Sequence, residues 1–286
     1  MQNIILDKEV KQMELSQKKA NTLIEALPYI KKYSGKIFVI KYGGNAMIDN
    51  ELKKSVMGDI ALLKHVGINP VVVHGGGPNI SKEMQKANIK PVFVKGLRYT
   101  DKQTMAIVKN VSLEINKEIS DMLKDDNCKA ENLTKGLLKT KIKDKKLGLV
   151  GKVVKVDKKK LMKKIKSGII PVISPVGYDG KNYNNVNADT VATKVAEALK
   201  AEKLTILTDV EGVYENGRLI THLSIDVAKA HIKSGIISKG MIPKVLGCVN
   251  AVKKGVGKAH LIDGTIKHSI LIEFFTDKGI GTEIVK

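Results

Sequence analysis

Two short apolar runs, each breaking off into glycines, limit what this chain can fold into. Ile37-Phe38-Val39-Ile40 has the β-branched and aromatic composition of a buried strand, and it runs straight into Lys41-Tyr42-Gly43-Gly44. Pro70-Val71-Val72-Val73 repeats the pattern and runs into His74-Gly75-Gly76-Gly77. Between them, Leu52, Val56, Ile60, Leu63 and Val66 recur at helical spacing over residues 51–66. Strand, helix, strand in that order makes a parallel pair joined by a right-handed crossover. The fold class is therefore α/β. The glycines fall at the carboxyl ends of neighbouring strands, where open α/β sheets hold their ligands.

Glycine lets backbone N–H groups approach an anion closely, and Lys41 adds a full positive charge. Pro78 suits the first turn of a helix over 78–88, whose positive end faces the same place. Neither loop has the Walker A spacing or the dinucleotide G-x-G-x-x-G. A tight strand-to-helix turn accounts for either loop alone. The pair together points to phosphate or another small anion.

The 286 residues allow one large domain or two moderate ones. With 43% hydrophobic and 28% charged residues the composition is globular, and no apolar run nears the ~18–20 residues of a membrane span. Met1-Gln2-Asn3-Ile4-Ile5-Leu6-Asp7 lacks the layout of a signal peptide, so a cytoplasmic location is expected. Cys128 and Cys248 lie far apart without metal-ligand spacing; reduced thiols and no metal site are expected. The net charge of +21 raises the question of nucleic acid. All but Arg98 and Arg218 of the 50 basic residues are lysine, spread over nearly every segment, and there is no Trp for base stacking. Such a field still attracts anionic metabolites.

Along the chain, Ala20, Leu23, Ile24, Leu27 and Ile30 predict a helix over 16–33, capped by Ser16 and kinked at Pro28. It is either a packing helix or an oligomer contact. Residues 91–101 are irregular, and Arg98 stands out there. Arginine pairs with carboxylates in a planar fork that lysine cannot copy, so Arg98 reads as carboxylate recognition or a surface ion pair. Met105, Val108, Val111, Ile115, Ile119 and Leu123 predict a helix over 101–124. The lysine-rich 125–160 reads as a β-hairpin region, with strands at Leu147–Val150 and Val153–Val156, and a helix follows over 157–167. After a strand at Ile169–Pro175 comes Asn184-Asn185-Val186-Asn187-Ala188-Asp189, more amides and acid than one helix cap uses. Helix 189–201, strand Leu204–Leu207 and helix 223–233 follow. Lys244, after Pro243 in the first turn of the next helix, opposes the helix dipole, which makes sense beside a bound anion. Ala259–Ile262 and Ser269–Phe274 read as the last strands.

The segments Lys41–Met47, Val73–Pro78, Gly96–Asp101, Asn185–Asp189, Leu207–Val213 and Gly240–Lys244 resemble, in order and over about residues 16–286, the amino acid kinase family. The resemblance is greatest to members that phosphorylate N-acetyl-L-glutamate. It implies an open three-layer αβα sandwich around a central mainly parallel sheet. It also implies an N-terminal helical extension at 1–34, an amino-acid-binding lobe at 35–200 and an ATP-binding lobe at 201–286. The implied reaction moves the γ-phosphoryl of ATP, with Mg2+ held mainly by the nucleotide phosphates, to the side-chain carboxylate of N-acetyl-L-glutamate, in arginine biosynthesis. Kinases of the same fold acting on acetylaminoadipate, aspartate, carbamate or a nucleoside monophosphate are the alternatives. A basic nucleic-acid-binding protein is a distant one, which leaves the glycine loops unexplained.

A carboxylate is already a nucleophile at neutral pH, so the chemistry asks for positioning and charge neutralisation. On the matching positions, Lys41 and Lys244 neutralise the transferring phosphoryl and Asp189 holds both ammonium groups. Gly43, Gly44, Gly76 and Gly77 offer N–H groups to phosphate or substrate oxygens. The resemblance assigns acetylglutamate to Gly76, Gly77, Arg98, Asn185 and Asn187. It assigns the nucleotide to Asp209, Val210, Glu211, Gly212, Val213 and Tyr214 with Ile236, Ile237 and Ser238. Two features depart from the family pattern: Lys239 stands where a glycine is usual, and residues 134–148 are unusually lysine-rich. Ala26–Ile30 and the C-terminal His268, Glu273 and Gly279–Thr282 resemble arginine-inhibited, hexameric members. This implies L-arginine near His268, Glu273 and Gly281, and a homo-oligomer, dimer or hexamer, through the N-terminal helix. A PII-type signalling protein is a further partner it allows.

Overall fold

The computed structural model describes the backbone of residues 2–286 and the side chains from Lys11 onward. Met1 and the side chains of the Met1–Asp7 segment read above lie outside the described residues. In chain order, α1 (Gln2–Tyr33) leads into β1 (Ile37–Tyr42), α2 (Asn50–His65), β2 (Asn69–His74) and α3 (Gly77–Lys86). The short β3 (Phe93–Val94) and β4 (Leu97–Arg98) precede α4 (Lys102–Asp125), β5 (Ala130–Asn132), β6 (Leu138–Ile142) and β7 (Gly151–Val156). Then come α5 (Lys158–Lys166), β8 (Ile170–Ile173), β9 (Val176–Tyr178), β10 (Tyr183–Asn185), α6 (Ala188–Leu199) and β11 (Lys203–Thr208). The chain closes with β12 (Tyr214–Glu215), β13 (Arg218–Leu219), β14 (His222–Ser224), α7 (Ile225–Ser234), α8 (Met241–Lys253), β15 (Lys258–Asp263), α9 (Ser269–Phe275) and β16 (Thr282–Val285).

The central sheet has the order β14-β16-β15-β11-β1-β2-β8-β5. Its pairs are parallel except for β15 with β16. Strand alternation splits the core in two. Val39, Val71, Val73, Leu204 and Ile206 face α5, α6 and α8. Phe38, Ile40 and Val72 face α2, α4 and α9 on the other side. The expected three-layer αβα sandwich is therefore present. A smaller sheet, β10-β9-β6-β7, stands beside it, and its β6–β7 hairpin falls within the expected hairpin region.

Three local expectations are corrected. Ser269–Phe274 is a helix: its apolar run is too short for periodicity to decide between helix and strand. As a helix it sets Ile270 and Phe274 on one buried side, with Phe274 edge-on to Phe38 at 4.9 Å. The strand partner of β7 is Leu138–Ile142, while Leu147–Val150 turns back and bridges to Thr100 and Asn185. Ser16 is not a cap. It lies inside α1, where its hydroxyl donates to the Gln12 carbonyl, and α1 continues through Pro28. Among the described residues of α1, those near its end pack on this chain: Tyr33 meets Phe38, and the Tyr29 hydroxyl donates to Asp277. Leu23 and Ile24, placed on the apolar stripe, are 73% and 67% exposed.

Candidate active site

Lys41 leaves the end of β1 on the same face as Val39 and folds back over the first glycine loop. A Cβ on Gly43 would stand 2.5 Å from its Nζ, so only glycine leaves this path open. The ammonium ends 3.4 Å from Asp189 Oδ1. Asp189 sits in the first turn of α6, where the helix dipole favours a carboxylate, and Asn187 caps that helix by accepting from the Thr190 N–H. Lys244, in the first turn of α8, donates to Asp189 Oδ2 at 2.8 Å. One carboxylate thus separates two ammonium groups, and the three side chains come from three elements, β1, α6 and α8.

Burial works against the charges of Lys41 and Asp189. It lowers Lys41 from 10.5, with Asp189 opposing. Burial would also raise Asp189, but the charges of Lys41 and Lys244 outweigh it and hold the carboxyl below 3.8. Two lysines against one carboxylate place cationic groups in a low-dielectric site, the condition under which a fixed cation stabilises developing negative charge most.

A cavity of ≈ 290 Å³ opens beside the triad. Its walls include Lys41, Gly44, Gly75, Gly76, Gly77, Arg98, Asn185, Asn187 and Asp189. Arg98 is clamped against the start of α3: Nη2 donates to the Gly77 carbonyl at 3.0 Å and to Ser81 Oγ at 2.8 Å. Its guanidinium also stacks over Phe93, 4.7 Å from the ring centre. Asn185 donates to Thr100 Oγ1 at 3.1 Å. Ser81, Phe93 and Thr100 escaped the sequence reading. Phe93 pairs directly with Arg98 in the β3–β4 register, so an aromatic a few residues before a lone arginine was the available signal.

The nucleotide candidates are not brought into this cavity. Asp209, at the end of β11, accepts from the Asn45 N–H at 2.9 Å and pins the first loop. Gly44 has φ +71, and a Cβ there would stand 2.5 Å from the Asp209 carboxylate. Val213 and Ile237 are buried in the core, and the Val213 N–H is taken by Thr282. Gly212 packs against the same Thr282. Val210, Tyr214, Ile236 and Ser238 are exposed, and Tyr214 bonds Glu211. Lys239 is exposed with φ +47, a left-handed position that explains why glycine suits it.

The candidates for arginine stand at the two ends of α9. His268 pairs with Asp59 at 2.7 Å. Glu273 accepts from His260 at 2.6 Å and from the Ile280 and Gly281 N–H groups.

Residues 36–263 match the model of the amino acid kinase family. An acetylglutamate kinase of Caldanaerobacter subterraneus subsp. tengcongensis is 52% identical over 94% of this chain and 93% of its own length. Among solved structures, an N-acetylglutamate synthase from Neisseria gonorrhoeae, complexed with coenzyme A and N-acetyl-glutamate, superposes with a TM-score of 0.85 at 25% identity. That match covers 93% of this chain but 63% of the synthase, so the synthase carries further sequence with no counterpart here. Carbamate kinase from Giardia lamblia bound to AMP-PNP shares the fold, with a TM-score of 0.68 at 17% identity over 89% of this chain and 99% of that one. The two glycine loops, the lysine–aspartate–lysine triad and these likenesses lead to one conclusion: the chain belongs to the amino acid kinase family, among the acetylglutamate kinases.

Proposed function

We propose that this chain transfers the γ-phosphoryl of ATP to the side-chain carboxylate of N-acetyl-L-glutamate, a step of arginine biosynthesis. The observation that carries the reading is Asp189 set between Lys41 and Lys244 at the mouth of a cavity that also holds Arg98. The acceptor carboxylate needs no base, so the two ammonium groups act by neutralising charge on the moving phosphoryl. Asp189 keeps them apart and aimed. Arg98, buried and already held in place, receives the α-carboxylate of the substrate with little ordering cost. Gly43, Gly44, Gly76 and Gly77 supply N–H donors, and Asn185 and Asn187 line the acid's side of the cavity.

Residues 35–200 form the amino-acid side of the site and residues 201–286 the nucleotide side, with 209–214 and 236–238 along the nucleotide. Among the described residues no three His, Cys, Asp or Glu side chains gather to hold a metal. Asp189 and Asp209 are both engaged with protein partners. This donor set suits Mg2+ carried in on the nucleotide phosphates, where it neutralises their charge.

A coupled ATP-consumption assay with N-acetyl-L-glutamate tests the reading, with Lys41→Ala and Lys244→Ala alongside. Acid-dependent turnover that falls by ~10²-fold or more in both variants is expected. Turnover on acetylaminoadipate, aspartate or carbamate instead of acetylglutamate would overturn it. The exposed Leu23–Ile24–Leu27 stripe on α1 suits a homo-oligomer, dimer or hexamer, built through that helix. Sedimentation of a chain lacking residues 1–25 should then report a smaller particle. L-Arginine near His268, Glu273 and Gly281 would inhibit the enzyme, and full activity at millimolar arginine would exclude this. A cytoplasmic location and docking of a PII-type protein complete the proposal. No described helix is long and apolar enough to cross a membrane.

A further inference from the structure

We propose that His74 is a positioning residue: its Nδ1–H holds the Gly75 carbonyl inward and thereby aims the Gly76 N–H into the cavity at the reacting anion. The proposal rests on the kinase reading above.

His74 ends β2 and is fully buried. Its Nδ1 lies 2.6 Å from the Gly75 carbonyl oxygen. A carbonyl only accepts, so Nδ1 carries the hydrogen. The Gly75 C=O and the Gly76 N–H belong to one planar trans peptide, and in such a unit the two bonds point opposite ways. With the carbonyl drawn to the buried ring, the N–H faces the cavity that Gly75, Gly76 and Gly77 line. Gly76 is also the cap residue of α3, and no side chain caps that helix. Its N–H has no partner among the described residues.

Something must hold this peptide. Glycines flank it on both sides, so no side chain resists its rotation. The Gly75 N–H is tied to the Tyr42 carbonyl at 2.7 Å, which fixes the preceding peptide only. The imidazole supplies the second restraint. Its other nitrogen is sealed in the core beside Asn116, where Nε2 and Asn116 Oδ1 are both buried without partners. The Asn116 amide nitrogen is taken by the Ser112 carbonyl and Thr134 Oγ1, so the Gly75 carbonyl is what selects the Nδ1–H tautomer. Burial pushes the ring down to about 4, so it stays neutral at working pH.

Wild type, His74→Asn and His74→Leu are compared in the acetylglutamate assay. Asparagine carries its amide nitrogen where the ring carries Nδ1; leucine has the same shape and no donor. His74→Leu should lose on the order of 10²-fold in kcat, as for one misaimed oxyanion donor. KM for both substrates should stay within about threefold, and His74→Asn should recover at least about tenfold of the loss. Unchanged kcat in His74→Leu, or equal losses in the two variants, overturns the proposal. Folding of the variants is bypassed by reading the tautomer in the wild type by 15N NMR, assigned through the only His-Gly step in the chain. A neutral Nδ1–H ring at pH 7 supports the proposal, and an Nε2–H ring overturns it. A wild type inactive on acetylglutamate removes the kinase reading alone, because the tautomer still decides whether His74 holds the peptide.

Discussion

Asp189→Asn keeps the shape of the side chain that separates Lys41 from Lys244 and removes its charge. The two ammonium nitrogens stand 3.4 and 2.8 Å from the carboxylate, and the side chains of Lys41 and Asp189 are only 10% and 19% exposed. At an effective dielectric near 20, each contact is worth about 5 kcal/mol before desolvation is counted. Removing one partner of a buried pair costs about 3–5 kcal/mol net. The low end applies here, because burial already lowers Lys41 and Asp189 is the main group opposing that. Without Asp189, Lys41 escapes part of the penalty by losing its proton. A loss of about 3 kcal/mol near pH 7 is expected.

The pH dependence carries a definite sign. The folded Asp189 carboxyl lies below its ordinary 3.8, because the two lysines overcome the opposing effect of burial. Its stabilisation is full above 3.8 and lost as pH falls through the lower folded value, so the gap to the variant closes in acid. In the variant, Lys41 sits further below 10.5, and stability should rise toward alkaline pH more steeply than in the wild type. Urea unfolding from pH 3 to 9 measures this by circular dichroism, since the chain has no Trp. In parallel, kcat should fall by about 10²-fold as both ammonium groups lose their aim. A wild-type urea midpoint at pH 7 together with kcat within about fivefold would refute the reasoning.

Two other substitutions separate binding from chemistry. Arg98→Lys removes the fork that meets Gly77 and Ser81 and the stack on Phe93. KM for acetylglutamate should rise about 10–100-fold with kcat nearly unchanged, as steady-state kinetics would report. Gly43→Ala puts a methyl 2.5 Å from Lys41 Nζ, the flexible end of a side chain, so the lysine gives way rather than the fold. Its thermal midpoint should stay within a few degrees while kcat drops at least about tenfold, and a wild-type kcat would show that Lys41 does not need its present path.

The site was more legible than the elements around it. Lys41, Lys244 and Arg98 each sat at the wrong place for packing alone: a lysine closing an apolar strand, a lysine opening a helix, a lone arginine among lysines. Such residues conflict with local rules, and the conflict shows in the sequence. Ser81, Thr100 and His74 obey local rules and gave no such sign; they matter through what they touch. The nucleotide segments were legible as motifs, yet Val213 and Ile237 within them are core residues. A motif names a stretch of backbone, and burial decides which of its side chains a ligand meets.

Periodicity and glycine placement, which are local, were enough to establish the α/β class, the two loops and most helices. Strand order, the identity of α9 and the position of every charge depended on contacts between distant parts of the chain. Ser269–Phe275 became a helix because Phe274 fills the space beside Phe38 and His260. The triad formed because β1 lies between β11 and β2, which brings the starts of α6 and α8 to the end of Lys41. Side-chain pattern reports which face of an element is buried. Only the packed sheet decides which other element that face meets, and the chemistry depends on that meeting.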